Sequence, residues 1–162
     1  MLAEKYDCEP TLTDQQVIEF CKSGFMMLEA AVPEDINRRT TEFADRFPDA
    51  SFDRRGFIDI LDEEWFVDNV IKNPQAAGAV RSLLGKDFTL PMHMSNHRVQ
   101  CPRAMSGGWH RDGGAVDSPR LDHLQVFYYP QDTPAELGPT EVVPSSHFLR
   151  IKRRYMTQYG GI

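Results

Sequence analysis

Residues 121–129, LDHLQVFYY, decide the fold class. The run is rich in aromatic and branched apolar residues, so it reads as a β-strand. On extended backbone His123, Gln125, Phe127 and Tyr129 share one face, while Leu124, Val126 and Tyr128 share the other. Downstream, Pro139–Val143 is a second, shorter strand candidate between Gly138-Pro139 and Pro144. Upstream, Phe88–Gln100 holds no good helix nucleus and is punctuated by Pro91 and Pro102. Everything after Gly85 is therefore expected to be β structure and loop.

The first half has the opposite pattern. Thr13 and Gln16 stand three apart, as in a capping box, with Val17, Ile18, Phe20 and Cys21 at helical spacing behind them. Gly24 closes that helix, and Phe25–Leu28 reads as a short buried strand. Pro33 suits the first turn of a second helix running to about Phe47, with Ile36, Phe43 and Phe47 inward. Pro48–Gly56 reads as a polar loop. Two more helical stretches, Asp62–Ile71 and Pro74–Leu84, are broken at Asn73-Pro74 and ended by Gly85. Helices followed by strands predict an α+β fold rather than an alternating α/β sheet. The 162 residues fit one domain, mainly helical over 1–86 and β over 87–162.

Composition sets outer limits. At 41% hydrophobic and 26% charged residues the chain has the make-up of a globular protein. Eighteen basic against 24 acidic residues give a net charge of −6, which argues against non-specific nucleic-acid binding. Cys8, Cys21 and Cys101 lack CxxC spacing and read as reduced thiols of a cytoplasmic protein. The opening MLAEKYDCEP is acidic where a signal peptide is basic and then apolar, and no membrane partner is expected. Neither GxGxxG nor GxxxxGK[ST] occurs, which removes the usual support for nucleotide binding.

The densest chemistry lies in Trp109-His110-Arg111-Asp112-Gly113-Gly114, preceded by Gly107-Gly108. His110 and Asp112 are two apart, so on extended backbone an imidazole and a carboxylate reach toward one point. A set of two His and one carboxylate with open positions suits non-haem Fe(II) oxygenases. The flanking glycine pairs let the backbone turn sharply beside such a site.

Together with VFYY and with GPTEVVPSSH at 138–147, WHRDGG resembles the phytanoyl-CoA dioxygenase family. Members carry an HxD motif, then a strand, then a segment close to NGPTxxxPGSH. The N-terminal TLTDQQVIEFCKSGFMML is similar to their opening helix and strand. The likeness runs from about Thr11 to His147, with Leu137 in place of the usual Asn and Ser145 in place of a common Gly.

The resemblance implies a double-stranded β-helix (jelly-roll or cupin-like) that binds Fe(II) and 2-oxoglutarate. It implies an oxidoreductase, a dioxygenase that hydroxylates a small molecule with O2. His110 and Asp112 match the first two iron ligands. In the family the histidine of the PGSH-like segment is not a ligand. The distal His follows a Gly-Asp turn on a later strand, with a 2-oxoglutarate-binding Arg beyond it. Spacing also opposes His147 as third ligand. Only 34 residues separate it from Asp112, tight for crossing several strands of about 5–6 residues plus turns.

The 15 residues after His147 hold no His, Asp or Glu, and Arg150, Arg153 and Arg154 read as a solvated basic patch. The β-helix is thus expected to be incomplete, as in a truncated or fragmentary member of the family. Open strand edges would allow two chains to associate.

His93 and His97 are four apart, but Pro91 and Met94 oppose a zinc-protease helix. On a strand the two share a face with Ser95, and Met92, Met94, Asn96 and Arg98 share the other; either could line the site. Gln125 and Tyr128 are the candidate 2-oxoglutarate contacts, and Trp109 is expected to pack and position the loop. Ser145 and Ser146 lack the GxSxG context of a nucleophile. The rival to an oxygenase is a non-catalytic binding domain or pseudo-enzyme on the same β scaffold.

Overall fold

Thr13 starts the first long element. The computed structural model describes residues 4–46, 59–92, 94, 109–110 and 121–148. In it the Thr13 hydroxyl accepts from the Gln16 amide, and the Gln16 side chain accepts from the Thr13 amide at 2.9 Å. This reciprocal pair opens helix α1, Asp14–Ser23, and Gly24 closes it in the left-handed conformation at φ +84°. Helix α2, Glu34–Asp45, follows Pro33 and turns Ile36, Asn37, Thr40 and Phe43 inward at spacings of three to four.

Asp59–Asp62 forms a 3-10 turn, α3 covers Glu64–Phe66, and Val67–Ile71 widens into a π turn. The π turn is closed by the Lys72 amide donating to the Val67 carbonyl at 2.7 Å. Helix α4, Pro74–Leu84, starts at Asn73, whose side-chain oxygen accepts from the amides of Gln75 and Ala76. The buried Asn73 amide group also donates to Ala31 at 2.9 Å, so one side chain caps a helix and ties down the approach to α2.

Two strands, β1 (Lys5–Tyr6) and β2 (Phe88–Thr89), pair antiparallel, with Lys5 opposite Thr89 and Tyr6 opposite Phe88. Among the described residues the architecture is mixed, helices α1–α4 with a small antiparallel sheet, an α+β arrangement. Two apolar clusters hold it. Phe43, Ile60, Phe66 and Val70 form one, flanked by Ile36, Trp65, Met94 and Tyr128. Ala77, Phe88 and Leu90 form the other, with Tyr6, Cys8 and Val80. Ile71 touches both, so the π turn joins the clusters. Full burial of the Phe66 ring alone is worth about 1.5–3 kcal/mol.

Helices α1 and α4 fall where the sequence places them. The helix expected over Asp62–Ile71 is instead the short α3 continued by the π turn, because the widened turn at Val67–Ile71 breaks the regular α pattern. The expected strands are not formed as read. Among the described residues, 25–28, 121–129 and 139–143 do not join the β1–β2 sheet. The predicted alternation fails at Val126, which is 65% exposed while Leu124 and Tyr128 are half-buried. Phe47, the 48–56 loop, His93, His97, Cys101, Asp112 and Arg150, Arg153 and Arg154 lie outside the described residues. Among the described residues no helix is long and apolar enough to cross a membrane.

Candidate functional site

The site is best built from the helix ends and side chains that fix residues 121–148. At one end, Tyr128 inserts its ring toward Phe66 with centroids 6.1 Å apart. Its hydroxyl donates to the side-chain oxygen of Asn37 at 2.7 Å and lies 3.4 Å from the Thr40 hydroxyl. Thr40 in turn donates to the Ile36 carbonyl, so the buried polar groups of α2 are paired. Burial pushes the Tyr128 phenol up from its ordinary value, with the Thr40 hydrogen bond opposing and Glu34 reinforcing. Tyr128, expected as a co-substrate contact, thus stands with its polar tip on α2. Gln125 is exposed, on the outer side of the same run.

Next along the chain, the Tyr129 hydroxyl donates to the Thr140 hydroxyl at 2.7 Å and faces the Thr140 amide at 3.4 Å. That pair closes the loop containing the 3-10 turn Ala135–Leu137 and the left-handed Gly138. At the far end, the PSSH segment folds onto the C-terminal end of α1. The Ser145 amide donates to Ser23 at 2.7 Å and the Ser145 hydroxyl to Lys22 at 2.8 Å. His147 Nε2 lies 2.9 Å from the Cys21 carbonyl oxygen. A carbonyl only accepts, so Nε2 carries the proton in this pairing. Nδ1 faces Gly24, where an added Cβ would collide with it.

The last four carbonyls of an α-helix have no partner within the helix. In α1 each of them finds one: Phe20 from the Gly24 amide, Cys21 from His147, Lys22 and Ser23 from Ser145. Ser145 sits at φ +63°, in the left-handed region. That is the position where the resembled motif commonly has Gly, and the backbone requirement explains why Gly suits it. Ser tolerates the position here because its hydroxyl gains the Lys22 bond.

Of the two proposed metal ligands, His110 is described and exposed, next to the 46%-exposed Trp109; Asp112 is not described. Among the described residues no three His, Cys, Asp or Glu side chains converge as a metal site would require. The imidazole and carboxylate of an HxD pair nonetheless fit Fe(II) in donor chemistry. Cys8 packs beside Tyr6 and Phe88, where burial first, then Asp7, raises its thiol pKa. That keeps it protonated, the state of a packing residue rather than a nucleophile.

The partners that α2 and α1 supply, Asn37, Thr40 and the carbonyls of residues 21–23, carry no sequence signature of their own. The unusual Ser145 was the one local clue to the α1 contact. Compared with protein-family models, with curated proteins and with solved structures, the chain has no match in any of the three.

Proposed function

We propose that this chain is the iron-binding part of an Fe(II)- and 2-oxoglutarate-dependent dioxygenase, of the phytanoyl-CoA dioxygenase type. One observation carries the reading: an HxD motif, WHRDGG, followed at family-like spacing by GPTEVVPSSH. The arrangement of the second motif supports the division of labour. Thr140, Ser145 and His147 each direct their polar groups to Tyr129 or to α1, which is consistent with His110 and Asp112 rather than His147 as ligands. In this reading the frame is a double-stranded β-helix flanked by the helices, in a cytoplasmic protein.

Iron held there supplies oxygen activation and a grip on the 2-oxo acid. If that segment is extended, His110 and Asp112 would reach a metal from one side of it. The glycines on either side keep room for small ligands. Gln125 offers an amide to a carboxylate from the exposed side of its run, and Tyr128 holds that run in place from beneath.

The test is anaerobic addition of Fe(II) and then 2-oxoglutarate to the full chain, followed in the visible range. A weak charge-transfer band that His110→Ala and Asp112→Ala each abolish is expected, and His147→Ala is expected to leave it in place. A folded protein that gives no band refutes the oxygenase reading for this chain and favours a non-catalytic binding domain. A band lost on His147→Ala alone would make His147 the ligand.

A further inference from the structure

Residues 128–147 cross from α2 to α1, and the two attachments differ in kind. The α2 attachment is a half-buried aromatic ring packed on the core Phe66, with a hydroxyl held by Asn37. Among the described residues, the α1 attachment runs through hydrogen bonds from exposed side chains and one amide to the carbonyls of residues 21–23. No residue from Val142 to Phe148 is buried, and Phe148 is 65% exposed. Exposed hydrogen bonds exchange readily with water and contribute little net stability each. Ser145 also sits in a left-handed conformation that its Cβ disfavours, which biases the closed state against itself.

We propose that residues 143–148 form a latch: a detachable cap on the C-terminal end of α1 that opens while the Tyr128 anchor stays in place. Closed, the latch satisfies the helix carbonyls and holds both ring nitrogens of His147 against α1. Open, it returns those carbonyls to water and releases an imidazole at the protein surface. Local opening of this kind is expected where few apolar groups are buried and backbone hydrogen bonds face solvent. The latch depends on no metal and stands independently of the oxygenase reading.

Residue-resolved amide exchange on the full chain, without metal, tests it. The Ser145 amide reports the latch through its bond to Ser23, and the Ala77 amide, bonded to the Asn73 carbonyl, reports the core. Ser145 is expected to exchange faster than Ala77 in the unmodified protein. His147→Ala is expected to accelerate Ser145 about fivefold, the factor worth one net hydrogen bond, and to leave Ala77 unchanged. Ser145→Ala, which removes the Lys22 bond but keeps the amide and its left-handed strain, is expected to do the same. If the residue-145 and Ala77 amides exchange at one common rate, or if both variants accelerate them equally, the segment opens only with the whole domain and the latch is refuted.

Discussion

Gly24→Ala separates two costs that meet at one atom. The first is backbone: φ is +84°, and an L-residue with a Cβ loses about 1–2 kcal/mol there. Part of that is offset, by about 0.4–1 kcal/mol, because Ala has fewer unfolded conformations to lose than Gly. The second cost is steric. The new Cβ collides with His147 Nδ1 and lies 2.9 Å from Cε1. The ring is a side chain and swings away rather than straining the backbone, so the loss is limited to its bond with Cys21, about 0.5–1.5 kcal/mol. The sum is about 2 kcal/mol. In a His147→Ala background the second cost vanishes and about 1 kcal/mol remains. Urea denaturation of the four proteins of the cycle, with unchanged m-values, is expected to give a coupling of about 1 kcal/mol. Equal costs of Gly24→Ala in both backgrounds, to within about 0.3–0.5 kcal/mol, would show that His147 does not rest on Gly24.

Gly78→Ala tests a case where helix propensity gives the wrong sign. Replacing a mid-helix Gly by Ala ordinarily stabilises by about 1 kcal/mol. Here the Cβ would meet Thr11 and come within 2.9 Å of the Glu9 carbonyl, in a strand-to-helix approach held by Thr11 and Leu12 amides on Ser82. Lifting that segment breaks bonds worth about 1 kcal/mol each, so a net loss of about 1–2 kcal/mol is expected in the same denaturation assay, and a gain would refute the close approach. Tyr128→Phe tests the buried phenol through pH. Its folded pKa is raised while the unfolded chain keeps a value near 10.0, so the unfolded state loses the proton first. The stabilisation is complete below that value and is lost as pH rises from there through the folded pKa. Melting temperatures between pH 8 and 11 are expected to fall less steeply for Tyr128→Phe, and parallel curves would place the phenol in water.

Local signals were legible in the sequence, and long-range ones were not. Thr13, Gln16 and Gly24 mark α1 to the residue because a cap is a contact among neighbours. Asn73, Pro74 and Gly85 do the same for α4. The 121–129 run is different: its composition fits a strand, but a strand exists only through partners that composition does not reveal. Tyr128 on Asn37 ties this run to α2, a contact across 91 positions with no periodic trace. At the candidate site, the residue types of HxD are visible in the sequence, while any convergence with a third donor would depend on how distant segments meet.

His147 shows how a chemically suggestive residue type can be explained by capping alone. An imidazole near the end of a motif invites a metal, yet metal ligation needs a ring nitrogen with a lone pair and open space before it. In the closed arrangement Nε2 carries the proton that the Cys21 carbonyl accepts. The lone pair is then on Nδ1, which lies against α1 where a Cβ at Gly24 would collide with it. Ligation at about 2.0–2.1 Å, the length of a typical zinc–imidazole bond, would therefore require the ring to leave α1 first. The two roles exclude one another: any metal that binds His147 must uncap the Cys21 carbonyl. Metal binding that left the Ser145 amide protected would place the metal elsewhere, as the proposal of His110 and Asp112 requires.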